Sequence, residues 1–236
     1  MKSARSVRIF TGISIATLAI SAISALAFGT VSASITKIDA FAGIDKRPDK
    51  KSSAINYLLV GSDTREGLTK AELKELRVGS VATAAGKRSD TMLLVHISKA
   101  RDKAVLVSIP RDTFALIPAH LNKAGKTIPA VHSKINSAFN WGGAPLLIQT
   151  IEEMTQLKID HYVEVNFAGF ASVIDSLGGI EVCTKKDIDD PKSHLVLPAG
   201  VHTLNGIEAL KYVRTREFDG MGDIGRMQRQ QAFMSS

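Results

Sequence analysis

A layered domain of mixed α and β structure is the fold class this sequence predicts, and three observations predict it. Short apolar runs of strand length recur, each closed by Gly, Pro or a polar turn. Segments with helical spacing of apolar residues lie between them. The two kinds interleave along the chain, which gives an α/β or mixed α+β arrangement. The composition permits a packed core. Of 236 residues, 44% are hydrophobic and 22% charged, an ordinary globular balance that excludes disordered and fibrous classes. A single cysteine, Cys183, excludes an intramolecular disulfide framework and a four-cysteine zinc site. It is expected to be buried, as free cysteines usually are. The formal net charge of +7 points to an anionic partner: nucleic acid, phosphate or a membrane surface.

The elements follow in order. Lys2, Arg5 and Arg8 precede an uncharged run from Ile9 to Val31. That run is long enough to cross a hydrocarbon core of about 30 Å. A cleaved signal peptide is the alternative, since Val31-Ser32-Ala33 resembles a cleavage site, but the run exceeds the usual apolar region of such signals. Either reading exports the rest of the chain, which argues against nucleic acid as the partner. The positive flank favours a single-pass membrane protein with its N-terminus in the cytoplasm. The expected organisation is a cytoplasmic tail at 1–8, an anchor at 9–31, a polar linker at 32–53 and an extracytoplasmic domain at 54–236.

Within the domain, Ile55 to Val60 reads as a buried strand stopped by Gly61. Thr69-Lys-Ala-Glu72 fits a capping box and opens a short helix from Lys70 to Arg77. Thr91 to Ser98 and Ala104 to Ile109 are strands joined by a short polar turn, hence a hairpin. Both are apolar nearly throughout, which predicts a sheet covered on both faces. Pro110 ends the second of them. Ala144 to Leu157 has helical spacing, with Pro145 in the first turn. His161 to Val165 is a strand. Phe167 to Leu177 is a helix stopped by Gly178-Gly179, and Ile180 to Val182 is a strand. Asn205 opens another helix, expected to end near Val213, and a last one starts near Gly225.

This order brings polar residues together. Asp63 follows the first strand, and Arg88 and Asp90 precede the second. If those strands are antiparallel, both aspartates lie at one sheet edge, and the hairpin returns Arg111 and Asp112 to the same edge. Ligand sites favour such loops. Carboxylates there suit Mg²⁺, which takes one or two of them with phosphate oxygens. Downstream, Arg214 and Arg216 share a face where the chain is extended. Arg226 and Gln230, four apart, share a helical face, with Arg229 beside them. Arginine forks grip phosphate oxygens bidentately. Several arginines with two or three aspartates, outside the cell beside a membrane, suggest a lipid-linked pyrophosphate. The plainer readings stay open: Asp63 and Asp90 as local caps, Arg111–Asp112 as a surface ion pair, and the later arginines as a solvated face paired with Glu217, Asp219 and Asp223. His96 sits inside an apolar strand and reads as a core residue. No zinc-protease helix motif is present, and Gly125-Lys126-Thr127 lacks the first glycine of a P-loop, since His120 stands there.

These motifs resemble the LytR-CpsA-Psr family of bacterial membrane-anchored phosphotransferases. The matching stretches are LLVGSDTREG (58–67), RSDTMLLVHIS (88–98), VLVSIPRDT (105–113), KINSAFNWGG (134–143), IDHYVEVNFAGFASVIDSLGGIEV (159–182), LPAGVHTLNGIEALKYVRTRE (197–217) and GDIGRMQRQQ (222–231). The resemblance implies a three-layer α-β-α sandwich with a mixed central sheet and an apolar tunnel for a polyprenyl tail. It implies Mg²⁺-assisted transfer of a phosphorylated glycan from a polyprenyl-pyrophosphate carrier to peptidoglycan. By motif match, Asp63 and Asp90 hold the metal. Arg88, Arg111, Arg214, Arg216 and Arg226 bind the pyrophosphate, with Gln230 beside them. Arg111, Arg214, Arg216 and Asp223 are the expected catalytic groups, Asp223 positioning a metal or the attacking hydroxyl. Asp112 orients Arg111. Domains of the family continue with further helix and strand after the position of Gln231, so a C-terminally truncated domain is expected. Two other classes use the same residues: a membrane-anchored, transcriptional-attenuator-like protein that binds lipid-linked glycans without chemistry, and a polyprenyl-pyrophosphate hydrolase.

Overall fold

The computed structural model describes residues 36–65, 67–76, 89–122, 124–215 and 222–235, the side chains of Asp90, Asp223 and Ser235 excepted. The expected anchor at 9–31, Arg88 and Arg216 lie outside the described residues. Among those described, no helix is long and apolar enough to cross a membrane.

The centre is a mixed sheet. Strand β1 (Ile55–Ser62) lies between β2 (Ser89–Ile97) and β8 (His161–Val165), and β3 (Ala104–Ser108) forms the edge beyond β2. β1 pairs antiparallel with β2 and parallel with β8, and β2 and β3 form the expected antiparallel hairpin. On β1, buried Leu58 and Val60 alternate with half-buried Tyr57 and Leu59, so both of its faces are covered. Strand β3 corrects the expectation: Val105 and Val107 are exposed, so the apolar run marks an edge strand with one open face.

Residues 114–134 hold short paired strands that the sequence reading does not place. Strand β4 (Phe114–Ile117) pairs with β7 (Val131–Lys134), and between them β5 (His120–Leu121) pairs with β6 (Thr127–Ile128). Helix α2 (Ile135–Thr155) begins nine residues earlier than its apolar spacing predicts. It is two helical pieces meeting at Gly143, whose φ of 66° only glycine adopts readily. Pro145 therefore opens a second piece rather than breaking one helix. α2 packs on one face of the sheet, where Ile135, Phe139, Leu147, Ile148 and Ile151 meet Leu58, Val60, Met92 and Leu94.

A second core gathers α3 (Phe167–Ser176), α4 (Gly206–Arg214) and α5 (Gly222–Ser235) with the small strands. β9 (Ile180–Thr184) pairs with β12 (Gly200–Leu204), and β10 (Ile188–Asp190) with β11 (Leu195–Leu197). Helix ends follow the sequence signals. The Thr69–Glu72 box caps α1 (Lys70–Glu75), Asn166 caps α3, and an Asn205–Glu208 box caps α4. α3 stops where Gly179 N donates to Ile174 O, 3.0 Å. Cys183 is exposed on β9, not buried as expected, because strand alternation turns its neighbours Val182 and Thr184 inward.

Part of the stretch expected to stand off as a linker is docked. Ala40 is buried, and Phe41 and Ile44 pack on the first core. Arg47 lies over the Phe41 ring and forks onto Glu152 (Nε to Oε2 3.1 Å, Nη2 to Oε1 2.8 Å), also donating to Ile159 O. Glu152 is only 1% exposed and also accepts from Ile159 N at 2.7 Å. Lys50 reaches Asp160, which accepts from Asn56 N and so fixes the start of β1. His96 Nδ1 bonds Asn56 Oδ1 at 2.7 Å, which gives that half-buried histidine a packing role.

Two outcomes follow from this packing. A Cβ on Gly206 would stand 2.3 Å from the Ala171 carbonyl oxygen and 2.7 Å from its carbon. Gly206→Ala should therefore destabilise by about 1–3 kcal/mol, although alanine is the better helix former; a lower urea midpoint at unchanged m-value checks it. Burial pushes the Asp160 carboxyl up, but hydrogen bonds from Lys50 and Asn56 N and the charge of Lys50 hold it below the usual carboxylate range. Its stabilisation is present above the unfolded value of about 3.9 and lost as pH falls through the folded one. Asp160→Asn should be the less stable protein at pH near 7, with the gap closing in acid; urea midpoints measured across that range check it.

Candidate functional site

The sheet topology sets the site. β1 antiparallel to β2, and β2 to β3, returns three loops to one end of the sheet: Asp63 after β1, Asp90 near the start of β2, and Pro110-Arg111-Asp112 after β3. β8, parallel to β1, delivers Asn166 and the first turn of α3 to the same end, since Gly61 pairs with Val165. Asp90 falls at a register break. Gly61 pairs with Thr91 but Ser62 pairs with Ser89, so Asp90 is the bulged residue. Bulges re-aim a residue beside a site.

A cavity of about 480 Å³ opens at this end and runs between the sheet and the second core. Its inner wall is apolar: Leu59 and Leu93 from the sheet, Phe167 and Phe170 from α3, Leu210 and Val213 from α4, Phe233 and Met234 from α5. Its charged lining is Asp63, Arg65, Lys192, Arg214 and Arg226, and Ser62, Thr91, Gln230 and the helix-cap residue Asn166 add uncharged polar groups. Among the described lining residues, four cations face one carboxylate. Such a gap suits an amphiphile with an anionic head and a long apolar tail.

Each cation is positioned by a definite element. Arg214 ends α4, where the backbone turns extended at Thr215 (ψ 141°), close to the predicted stop at Val213. Its guanidinium carbon sits 5.1 Å from the Phe167 ring centroid, a cation–π contact that holds it over the cavity. Arg226 and Gln230 come from one face of α5, as their spacing predicts, and both line the cavity. Arg226 is 4% exposed. Gln230 Nε2 donates to Thr91 Oγ1 at 3.0 Å and to Val213 O at 3.2 Å, and Gln231 Nε2 donates to Ser108 Oγ at 2.9 Å. Arg229 is used for packing instead. It is buried, and its Nη2 donates to Thr215 O at 2.6 Å, tying α5 to the end of α4.

The structure does not bring every predicted residue to the cavity wall. Arg111 is half-buried on the loop after β3 and does not line the cavity; it lies 3.8 Å from Asp112, which also takes Lys134 at 3.0 Å. The charge of Arg226 nonetheless reaches Asp112, so the loop and α5 share one electrostatic field. Asp90 and Asp223 are placed by their backbones only, in β2 and in the first turn of α5. Arg88 and Arg216 lie outside the described residues. Arg65, Lys192 and the Asn166–Phe167 pair line the cavity although their sequence context does not single them out as ligands. Arg65 is within reach of sequence reasoning, two residues beyond Asp63 in the same loop, and Asn166 carries a helix-cap signal. Lys192, on the turn between β10 and β11, carries none.

Asp63, a carboxylate of the described lining, is the kind of oxygen donor a hard divalent cation takes. Asp63 presents a carboxylate to the cavity, and Asp90 lies on the adjacent strand. Among the described residues no group of three or more His, Cys, Asp or Glu assembles. Mg²⁺ does not require one, since it is held by one or two carboxylates with substrate phosphates and water.

Comparison with known proteins adds the relatives of this arrangement. A family model described as the LytR_cpsA_psr family matches residues 26–236. The probable cell wall biosynthesis protein LcpB of Corynebacterium glutamicum is 38% identical over 186 residues, covering 78% of this chain and 41% of that protein. The polyisoprenyl-teichoic acid–peptidoglycan teichoic acid transferase TagT of Bacillus subtilis is 35% identical over 197 residues, covering 81% of this chain and 54% of that protein. A solved structure of TagT with bound octaprenyl pyrophosphate lipid matches with a TM-score of 0.57 at 30% identity, covering 85% of this chain and 66% of that one. The chain spans about half the length of the curated relatives it matches.

The electrostatics of the Arg111 loop are open to a direct check. The hydrogen bond from Lys134 is the main reason the Asp112 carboxyl lies below the usual range, with the attraction of Lys134, Arg111 and Arg226 adding to it. Lys134→Ala should move the Asp112 titration to higher pH, read from its side-chain carbon shift in NMR; an unmoved titration would assign the effect to the arginines.

Proposed function

The chain belongs to the LytR_cpsA_psr family, and from that premise we propose that it transfers a phosphorylated glycopolymer from a polyprenyl-pyrophosphate carrier to a hydroxyl of peptidoglycan. One observation carries the reading: a single cavity joins a cationic mouth at the sheet end to an apolar interior. With α2 on one sheet face and α3, α4 and α5 gathered in the second core, the gap between that core and the sheet would take the tail. Prenyl burial contributes about 0.8 kcal/mol per CH₂, so the interior supplies affinity and the mouth supplies chemistry.

In this mechanism the hydroxyl oxygen attacks the phosphorus that carries the glycan. The bond from that phosphorus to the bridging oxygen breaks. Polyprenyl monophosphate leaves, and a phosphodiester joins glycan to peptidoglycan. The hydroxyl proton passes to a carboxylate, for which Asp223 is the candidate. Charge grows on the bridging oxygen as its bond breaks. Arg214 and Arg226, with Arg65 and Lys192 at the mouth, stabilise that charge, and their fixed positions avoid reorganisation cost. Gln230, one turn along α5 from Arg226, fixes that stretch of helix through its bonds to Thr91 and Val213. Arg111, on the loop after β3, and Arg88 and Arg216 would complete the pyrophosphate-binding set. Asp63 and Asp90 would hold Mg²⁺, which when bound neutralises pyrophosphate oxygens. The N-terminal run at 9–31 would anchor the domain on the outer face of the cell membrane, where the carrier lipid lies.

The test incubates the full chain in detergent with a polyprenyl-pyrophosphate sugar, Mg²⁺ and peptidoglycan oligomers. Mass spectrometry should find both polyprenyl monophosphate and a glycan-phosphate adduct. Monophosphate with free sugar phosphate would instead mean hydrolysis, and binding without either product would mean a carrier-lipid receptor. Arg226→Lys should cost roughly 10²–10³-fold in kcat, and Asp63→Ala should abolish the Mg²⁺-dependent part of turnover while leaving the circular dichroism spectrum unchanged.

A further inference from the structure

We infer that a second cleft, beside Trp141, binds N-acetylhexosamine units of the acceptor glycan strand; the identity of the strand rests on the phosphotransferase reading. The cleft encloses about 740 Å³ between the β5–β6 hairpin and the first piece of α2. Its chemistry differs from the catalytic mouth. His120, Asn122, Asn140 and Trp141 line it together with Ile128 and Pro129, and no Asp, Glu, Lys or Arg occurs among its described lining residues. Described lining residues that combine a ring face with amides and carry no formal charge match a neutral sugar. The apolar face of a pyranose packs on an aromatic ring, while its hydroxyl and acetamido groups take amide hydrogen bonds.

The aromatic wall is preformed. His120 stacks on Trp141 with ring centroids 5.5 Å apart and planes 12° from parallel. His120 Nδ1 lies 2.8 Å from Pro118 O. A carbonyl can only accept, so Nδ1 carries the hydrogen and, in the neutral ring, Nε2 is left as an acceptor. Asn122 is equally fixed, its Oδ1 accepting from Ala124 N and Lys126 N, which leaves its amino group as the donor end. The hairpin therefore offers the cleft one acceptor, His120 Nε2, and one donor, the Asn122 amino group.

Its position fits an acceptor. Lys134, the N-cap of α2, bonds Asp112 beside Arg111. Trp141 lies six residues beyond Ile135, about 9 Å along the helix. A strand seated here and running along α2 toward its start would approach the Lys134–Asp112 pair.

Trp141 is the only tryptophan in the chain, so its fluorescence reports this cleft alone. The full chain in detergent is titrated with lipid-free peptidoglycan glycan oligomers, with cello-oligosaccharides of equal length and with a short-prenyl pyrophosphate sugar. A saturable change with the glycan oligomers and none with the cello-oligosaccharides is expected. His120→Phe keeps the ring stack and loses the acceptor nitrogen, and Asn140→Ala loses an amide; each should weaken the oligomers about tenfold. In the transfer assay Asn140→Ala should raise the acceptor KM by a similar factor and leave the donor KM unchanged. No saturable change with the oligomers, or a change with the pyrophosphate sugar alone, overturns the proposal. A saturable oligomer response in a wild-type chain that transfers nothing keeps the glycan site and removes the phosphotransferase reading.

Discussion

Everything at the candidate site depends on strand β1 having one antiparallel and one parallel neighbour. The antiparallel pairing with β2, followed by the β2–β3 hairpin, folds three polar loops back to one end of the sheet. The parallel pairing with β8 sends the start of α3 to that same end. An all-antiparallel sheet would deliver the loops without the helix start, and an all-parallel one would scatter the loops to opposite ends. Hydrogen-bonded groups at the foot of β1 fix this arrangement. Asn56 is bound through its backbone to Asp160 and through its side chain to Lys158 and His96, so register cannot slip by one residue without losing all of them.

Charge is distributed by depth. The Arg47–Glu152 pair is structural: the carboxylate is buried and accepts from a guanidinium and a backbone amide together, the condition under which a buried charge is tolerated. Arg229 is used in the same way, on a backbone carbonyl. Arg214 and Arg226 are placed differently, on the wall of a cavity whose inner surface is apolar. An anion admitted there meets them in a low dielectric, where attraction exceeds its value in water.

The elements read correctly from sequence are those with local signals. The Thr69 and Asn205 capping boxes, the Gly178-Gly179 stop and the stop at Pro110 each act within a few residues, and each is where the sequence places it. The misses are tertiary. Helix α2 starts at Ile135 because β7 hands it over, and its first piece carries only the short stripe Ile135, Ala138 and Phe139, which two asparagines and a glycine pair interrupt before it completes a second turn. The outer face of β3 is open because no element packs on the edge, which an apolar run cannot reveal. Docking of residues 40–50 depends on Glu152, more than a hundred positions away. At the site, Asp63, Arg214, Arg226 and Gln230 are legible because strand order and helix spacing imply their convergence. Lys192 is not, since only the fold of the β10–β11 ribbon carries it there.

Consecutive glutamines on α5 give this wall a mechanical property. Gln230 is latched to Thr91 on β2 and Gln231 to Ser108, the last residue of β3, so one helix is clipped to two neighbouring strands. Releasing both clips forfeits about 1–3 kcal/mol, while α5 keeps its other holds, Arg229 on Thr215 O and Phe233 in the second core. A helix fastened to two strands at successive residues keeps its spacing from the sheet, so the gap holds its width whether or not a tail fills it.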